Sequence, residues 1–214
     1  MKKDIFVIGS SAGGIEALKS LVRNLPASID AAIFVVQHVA PWHRSELPEI
    51  LRANGPVDAV HAENGQGIER RRIYVAPPDR HLLLEGQHIA LWKGPRENLS
   101  RPAINPLFRS AAMNYGSRVV GVILSGMMDD GSAGLWMVKK RGGTAVVQDP
   151  MDAAYPEMPQ NALRYVAVDY IASPPKIAEF LVQMSGGNSK ASQEDADPSV
   201  SGEFRHGTRK DDAY

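Results

Sequence analysis

Short apolar runs alternate with helix-like apolar spacing along the first 184 residues of this chain. An unbroken apolar run is typical of a strand that is buried on both faces of a parallel sheet. Such runs predict strands over residues 5–8, 31–36, 57–60, 73–76, 119–124, 144–147 and 168–171. Apolar residues three and four positions apart predict helices from Ile15 to Leu25, over 45–51 and 105–115, from Ser132 onward, and over 159–165 and 174–184. Strands that alternate with helices predict an α/β fold with three layers, α/β/α, around a mostly parallel, doubly wound sheet.

A different pattern interrupts this alternation between residues 81 and 92. Two strand-like runs, residues 81–84 and 88–92, are separated by Glu85-Gly86-Gln87. Two such runs joined by a short connection that contains glycine are typical of a β-hairpin. We therefore expect a β-hairpin insertion between the α/β units, followed by a polar loop over residues 93–101.

The length and composition predict one folded domain and a tail. The chain has 214 residues, of which 43% are hydrophobic, and this is enough to build a single core. From residue 185 onward the sequence is dominated by small, polar and charged residues. Such a segment buries too little apolar surface to offset the entropy lost on ordering it. We predict a domain over residues 1–184 and a disordered tail over residues 185–214.

Charge and cysteine content exclude several classes of protein. Lysine plus arginine and aspartate plus glutamate both number 24, so the formal net charge is zero and no basic surface for nucleic acid is indicated. The absence of cysteine excludes disulfides and thiolate chemistry. No apolar stretch approaches the roughly 20 residues that span a bilayer, and the N-terminus does not resemble a secretory signal. We expect a soluble cytoplasmic protein that binds no nucleic acid and inserts into no membrane.

The turn after the first predicted strand is the first candidate for chemistry. Gly9-Ser10-Ser11-Ala12-Gly13 has the G-x-S-x-G spacing of a nucleophile elbow, in which a sharp turn presents a serine hydroxyl at the top of a sheet. A glycine-rich strand–turn–helix also begins dinucleotide-binding domains, but here Ser11 occupies the second glycine position of that pattern. From this stretch alone, three interpretations stay open: a serine nucleophile, a phosphate or nucleotide cradle, and a structural turn.

Two further polar groups follow predicted strands. His38 comes just after residues 31–36, and Asp129 and Asp130 follow residues 119–124. The carboxyl ends of parallel strands share one edge of the sheet, so these side chains can meet Ser11 there. An imidazole accepts a proton from serine near neutral pH, and a carboxylate orients the imidazole. The residues alone leave other readings open: an ordinary histidine, and aspartates that cap a helix or form a metal or phosphate site.

A set of short motifs occurs between residues 3 and 184. The motifs are Gly9-Ser10-Ser11-Ala12-Gly13-Gly14, Gln37-His38 with Pro41, Tyr74-Val75-Ala76-Pro77 with Asp79 and His81, Arg101-Pro102 with residues 107–112, Leu124-Ser125-Gly126-Met127 with Asp130-Gly131 and Gly134, Gly142-Gly143, Gln148-Asp149-Pro150, and Met158-Pro159 with Asn161-Ala162. In this order they resemble the catalytic domain of the CheB-type protein-glutamate methylesterases. Each motif is weak alone, and together they are highly specific.

The resemblance implies a serine esterase that needs no metal or cofactor. It implies Ser11 as the nucleophile, His38 as general base and acid, and Asp130 as the orienting carboxylate, with the main-chain amides of Ala12 and Met127 as oxyanion donors. The implied reaction is hydrolysis of glutamate γ-methyl esters on the helical cytoplasmic domain of chemoreceptors, which releases methanol and serves chemotaxis signal transduction. Deamidation of specific receptor glutamines is a related activity of the family.

The chain departs from the family pattern at several positions. Ala12 stands where threonine usually follows the nucleophile, Met128 where glycine is usual, and Asn105 where the family has aspartate. Ser125 replaces a threonine, and Glu157 stands where glycine often precedes Met-Pro. Two alternatives therefore stay open: a catalytically impaired CheB-like binding module, and the same chemistry on a protein other than a chemoreceptor.

Family members often carry an N-terminal receiver domain, and this chain begins at the catalytic strand. We therefore expect a stand-alone member. A separate receiver protein is then a candidate regulator.

Overall fold

A seven-stranded, fully parallel sheet lies at the centre of the fold. The computed structural model describes residues 2–40, 42 and 45–187. The strands within these ranges are β1 (Ile5–Ser10), β2 (Ala32–Gln37), β3 (Asp58–His61), β4 (Arg72–Val75), β5 (His81–Glu85), β6 (His88–Trp92), β7 (Val119–Ile123), β8 (Thr144–Gln148) and β9 (Tyr170–Ala172). The sheet order is β3-β4-β2-β1-β7-β8-β9, and β5 and β6 form a separate antiparallel pair. The direction in which strands are added reverses between β1 and β7, so the carboxyl ends of the central strands form the crevice where open α/β sheets place their ligands.

Helices cover both faces of the sheet. They are α1 (Gly14–Arg23), α2 (Leu47–Asn54), α3 (Ile104–Tyr115), α4 (Ser132–Lys140), α5 (Glu157–Tyr165) and α6 (Pro174–Met184). One buried cluster joins α3, α4 and α5 to one face of the sheet, and a second joins α1, α2 and α6 to the other. Strand β1 shows the alternation directly, because Ile5 and Val7 belong to the first cluster while Phe6 and Ile8 belong to the second. The predicted three-layer α/β/α fold is confirmed.

The β5–β6 hairpin packs against α3 rather than joining the main sheet. Leu82, Leu84 and Ile89 of the hairpin are buried in the same cluster as the inner face of α3. The Leu84 amide donates to the Ser110 hydroxyl at 3.0 Å, which links the hairpin to the helix. The predicted hairpin insertion is therefore confirmed, and it lies alongside α3, with the Gly86 amide donating to Asn114 Oδ1 near the C-terminus of the helix.

Some predicted positions were wrong. Ile15 was placed on the buried face of the first helix, but it is 40% exposed. The buried face of α1 contains Gly14, Ala17, Leu18, Leu21 and Val22. Ile15 lies on the same side of the helix as Val22, but it is in the first turn, at the end of α1 next to the turn that carries Ser11. Helix α2 and strand β9 each begin two residues later than predicted. The predicted tail lies outside the described residues beyond Gly187.

Within the described ranges, no helix combines the length and the apolar character required to cross a membrane.

An ion-pair cluster connects the start of the hairpin to the segment before α3. Asp79 accepts a hydrogen bond from Arg101 Nε at 2.9 Å and pairs with Lys93 Nζ at 3.0 Å. Arg101 also donates to the Gly94 carbonyl at 2.6 Å. The hydrogen bond from Arg101, followed by that from Lys93, lowers the pKa of Asp79 from 3.8 to about 2.

This lowered pKa predicts a pH-dependent contribution of Asp79 to stability. A carboxyl whose folded pKa is depressed stabilises the fold above its unfolded pKa, and that stabilisation is lost as pH falls from about 4 to about 2. We expect the unfolding free energy of the wild-type protein to fall more steeply over this range than that of Asp79→Asn. Asparagine is the matched change because Asp79 has φ +59°, which asparagine tolerates. Urea unfolding at several pH values measures the difference, and equal slopes would contradict the prediction.

Candidate active site

Ser11 lies on a tight turn between β1 and α1. Its amide donates to the Ser125 carbonyl at 2.9 Å, and its own carbonyl accepts the Gly14 amide at 2.9 Å. Gly13 has φ +71°, and a Cβ there would lie 2.9 Å from the Ala154 Cβ. Only glycine fits this conformation and this space without strain. The turn leaves Ser11 partly exposed at the carboxyl edge of the sheet.

His38 follows β2 and approaches Ser11 from the neighbouring strand. Its Nδ1 lies 3.1 Å from Ser11 Oγ, and the His38 amide donates to the Ser10 carbonyl at 3.1 Å. The Gln37 side-chain amide donates to the carbonyls of Ser11 and His38 at 2.8 and 3.1 Å, so it braces both segments. Ser10 is fully buried, and its hydroxyl donates to Gln37 Oε1 at 2.8 Å. Of the two adjacent serines, only Ser11 faces the histidine.

Asp130 completes a continuous line of side chains. Its Oδ2 lies 2.8 Å from His38 Nε2 and accepts the Ile104 amide at 2.7 Å, while its Oδ1 accepts the Asn105 amide at 3.1 Å. The carboxyl is 1% exposed and lies at the positive end of the α3 dipole, which favours a negative charge. Asp129 is exposed and takes no part in these contacts. Neither aspartate provides a side-chain cap for α4, in contrast to the capping alternative.

The hydrogen bonds indicate how the imidazole proton is placed. Asp130 accepts two backbone amides, so its oxygens act as acceptors and His38 Nε2 carries the proton that completes the set. The lone pair of Nδ1 then faces the Ser11 hydroxyl. A serine beside an imidazole lone pair, with a carboxylate behind the ring, is an arrangement that can generate a nucleophile.

The amides of Ala12 and Met127 are available near this serine. In the part of the chain that the structure describes, neither amide has a hydrogen-bond acceptor. The turn that carries Met127 lies close to the turn that carries Ser11, because a Cβ built on Gly126 would be 2.9 Å from the Ser11 Cβ. The Ser125 hydroxyl donates to the Ala12 carbonyl at 2.8 Å and so ties the two turns together. Unpaired amides beside a nucleophile can stabilise an oxyanion.

Sequence reasoning missed the parts played by Gln37 and Asn105. Asn105 Oδ1 accepts the Gly134 amide at 2.7 Å, which connects the N-terminus of α3 to α4. A signal was present for Gln37, because it is a polar residue at the end of a buried strand and directly precedes His38. For Asn105 the sequence shows only a departure from the family pattern, which does not indicate a bonding partner almost thirty residues away. Among the described residues, no group of three or more His, Cys, Asp or Glu side chains is arranged to hold a metal ion.

Comparisons with known proteins agree on one family. The sequence model of the CheB methylesterase family matches residues 6–181. A crystal structure of the Thermotoga maritima CheB methylesterase catalytic domain superposes with a TM-score of 0.82 at 34% identity, over 86% of this chain and all of that one. The chain belongs to the CheB methylesterase family. Its fold is that of a CheB catalytic domain.

Curated CheB relatives differ in length. A Leptospira interrogans relative, named as a candidate protein-glutamate methylesterase/protein-glutamine glutaminase, is 39% identical over 189 residues, which cover 88% of this chain and 98% of the relative. A Methanosarcina acetivorans relative, named protein-glutamate methylesterase/protein-glutamine glutaminase 2, is 34% identical over 192 residues, and only 54% of its length is covered. The chain thus spans about half the length of the Methanosarcina protein.

Met128 is the departure from the CheB pattern with a visible backbone consequence. It has φ +67°, a left-handed conformation that costs a residue with a Cβ about 1–2 kcal/mol. We expect Met128→Gly to raise the unfolding free energy by about 0.5 kcal/mol, because relief of this strain outweighs the extra entropy of the unfolded chain. Urea denaturation measures the change.

Met127→Gly is the matched control for this prediction. Met127 is similarly exposed but is not in the left-handed region. Its replacement should lower the unfolding free energy by about 0.5–1 kcal/mol. Equal losses in the two variants would show that Met128 is unstrained.

Proposed function

We propose that the domain formed by residues 1–184 hydrolyses glutamate γ-methyl esters on the helical cytoplasmic domain of chemoreceptors. The observation that carries the proposal is the unbroken contact from Ser11 through His38 to Asp130 in a chain of the CheB methylesterase family. The proposed substrate lies in the cytoplasm, and so would the enzyme. The names of the relatives support the reaction class.

The first half of the proposed reaction transfers the glutamyl acyl group to Ser11. Ser11 Oγ attacks the ester carbonyl carbon as His38 Nδ1 takes the hydroxyl proton. The Oγ–carbon bond forms, the bond from carbon to the methoxy oxygen breaks, and the proton passes from His38 to that oxygen, so methanol leaves. Asp130 stabilises the imidazolium that exists between these transfers.

The amides of Ala12 and Met127 are the proposed donors to the oxyanion. They belong to two turns held together by the Ser125 hydroxyl, so their relative position is set before substrate arrives. Preorganised donors of this kind act where charge develops in the transition state and need no reorganisation at that moment. The partial positive charge at the N-terminus of α1 adds to the same effect.

The second half of the proposed reaction regenerates the serine. A water molecule replaces methanol beside His38, gives up a proton to Nδ1 and attacks the acyl carbon. The bond from carbon to Ser11 Oγ breaks, the proton returns to Oγ, and a free glutamate is left on the substrate. A glutamine side chain can form the same acyl-enzyme with ammonia as the leaving group, and we propose this deamidation as a second activity.

Exposed apolar side chains near Ser11 support a protein substrate. Ile15 is the second residue of α1, four positions after Ser11. Met127 follows Gly126 on the turn next to Ser11, and Tyr155 lies against Gly13. All three are substantially exposed. Apolar groups left at the surface around a reactive serine are suited to contact with another protein.

Methanol release from membranes that contain methylated chemoreceptors tests the proposal. We expect the wild-type chain to release methanol from these membranes and none from the same membranes prepared without methylation. A variant with one surface histidine removed, His88→Ala, serves as the positive control, because His88 is exposed on the hairpin.

Two outcomes would contradict the proposal in different ways. No methanol, with Ser11 still labelled by a fluorophosphonate, would assign the same chemistry to a different protein substrate. No methanol and no labelling would indicate a CheB-like binding module that has lost catalysis.

A further inference from the structure

His81 is a fully buried histidine that does not contact Ser11 or His38 in the line of catalytic side chains. It is 0% exposed at the start of β5. Its Nε2 lies 2.8 Å from the Pro95 carbonyl oxygen, and its Nδ1 lies 3.2 Å from the Ala103 amide nitrogen. Both ring nitrogens are therefore used by main-chain groups.

These two partners determine the tautomer of His81. The Pro95 carbonyl can only accept, so Nε2 carries the proton and donates to it. The Ala103 amide can only donate, so Nδ1 presents its lone pair. His81 is thus held as a neutral imidazole that bridges the polar loop before α3 and the residue directly before that helix.

The Ala103 amide is the first of three consecutive amides at the start of α3. His81 accepts the first, and the Asp130 carboxylate accepts the next two, from Ile104 and Asn105. The first amides of a helix have no partner within the helix and need acceptors from elsewhere. Here two side chains from different segments share that task, so the position of the helix start relative to His81 determines where the two Asp130 oxygens are held.

We propose that His81 is a positioning residue for catalysis. It fixes the N-terminus of α3 so that the Ile104 and Asn105 amides hold Asp130 against His38. The inference rests on the proposed catalytic role of the Ser11–His38–Asp130 line, and it adds a fourth residue that acts through that line. A shift of a catalytic group by about 1 Å can cost up to about 100-fold in rate, so a small displacement of the helix start is sufficient.

Two substitutions of His81 test the hydrogen bonds of its two ring nitrogens one at a time. His81→Asn places an amide oxygen near the position of Nδ1 and retains an acceptor for the Ala103 amide. His81→Gln places its amide near the position of Nε2 and retains a donor for the Pro95 carbonyl. Each variant loses one hydrogen bond of a buried group, so a purely structural histidine predicts similar losses in both.

The readout is the rate at which a fluorophosphonate labels Ser11, which does not depend on the identity of the natural substrate. We expect His81→Gln to be labelled at least about ten-fold more slowly than the wild-type protein and His81→Asn within about three-fold of it. On receptor membranes, His81→Gln should lose kcat with little change in KM. His88→Gln, on the exposed face of the same hairpin, should match the wild-type protein in both assays.

The outcomes separate this inference from the proposed function. Equal slowing in both His81 variants, or none in either, would overturn the positioning role even if methanol is released. Normal Ser11 labelling with no methanol release would overturn the proposed receptor substrate. The comparison of the His81 variants by labelling rate would still test the positioning role.

A second measurement does not require His81→Gln to fold. Hydrogen exchange of the Ala103 amide should become at least about ten-fold faster in Asp130→Ala. If the His81 contact with Ala103 holds Asp130 in place through the start of α3, then Asp130 holds the Ala103 contact in place to the same extent. Unchanged exchange at Ala103 would contradict the proposal.

Discussion

Ser11→Ala should reduce methanol release from methylated receptor membranes to the background rate, a loss of at least about 10⁴-fold. Among the described residues, the substitution removes the one hydroxyl that His38 Nδ1 contacts, at 3.1 Å, and it leaves no atom to form the acyl-enzyme. Ser11 is partly exposed and its hydroxyl has no other partner among the described residues, so the thermal unfolding midpoint should stay nearly unchanged. His38→Ala should give a similar loss of turnover, since the serine then lacks its base.

Ser10→Ala is the matched control, because it removes the adjacent hydroxyl. Ser10 Oγ is buried and donates to Gln37 Oε1, so its loss should lower the unfolding free energy by about 1–3 kcal/mol and leave the nucleophile in place. The two variants should therefore have opposite effects. Ser11→Ala loses methanol release but keeps its stability, and Ser10→Ala loses stability but keeps methanol release. A clear residual rate in Ser11→Ala would refute its role as the nucleophile.

The sheet could be predicted from the sequence because its strands are buried on both faces. Strands β1, β2, β7 and β8 are mainly apolar, and each lies within two residues of its predicted bounds. The sheet order could not be predicted in this way, since uniform apolar runs carry no information about which strand pairs with which. Ile15 shows a further limit of the pattern. The periodicity predicts it as buried, but it lies in the first turn of α1, at the end of the helix next to Ser11, and its side chain is 40% exposed.

The candidate site could be predicted in part for a similar reason. Ser11 and His38 each follow a strand within two residues, so the shared edge of a parallel sheet brings them together. The surroundings of Asp130 could not be predicted, because its acceptor role depends on amides of α3 that lie about 25 residues earlier in the chain. The proposed contribution of His81 is still harder to predict from the sequence, because His81 lies on the hairpin and acts on Asp130 only through the start of α3. Contacts between segments that are far apart in the chain leave no periodic signal in the sequence of either segment.

The choice between Asp129 and Asp130 illustrates the same limit. The two residues are adjacent, and the residues flanking them, Met128 and Gly131, both have positive φ. Residues with positive φ on both sides of the pair mean that the backbone follows neither the periodicity of a helix nor that of a strand. No local pattern therefore indicates which of the two carboxylates faces inward. The family resemblance favoured Asp130. The geometry agrees with that choice, since Asp130 is 1% exposed and contacts His38 while Asp129 is exposed.

Asp130→Asn should lower the rate of methanol release by about 10³–10⁴-fold, which corresponds to about 4–5.5 kcal/mol of activation free energy. The carboxylate accepts three N–H groups through its two oxygens, from His38, Ile104 and Asn105. An asparagine has only one oxygen, so its amide nitrogen must face either His38 Nε2 or a backbone N–H. When it faces His38, the ring adopts the other tautomer and Nδ1 carries a proton, so it cannot take the proton of Ser11.

Asp129→Asn is the matched control, one residue away and with the same change of charge. Asp129 accepts a hydrogen bond from the Asn98 side chain at 3.0 Å, an exposed contact that an asparagine side chain can retain through its own oxygen. We expect its rate to stay within about three-fold of wild type, because neither the His38 tautomer nor the α3 amides are affected. If Asp129→Asn instead lost activity and Asp130→Asn did not, the orienting carboxylate would be Asp129. The contact between Asp130 and the start of α3 would then serve stability alone, so one pair of rate measurements tests both the triad and the helix that holds it.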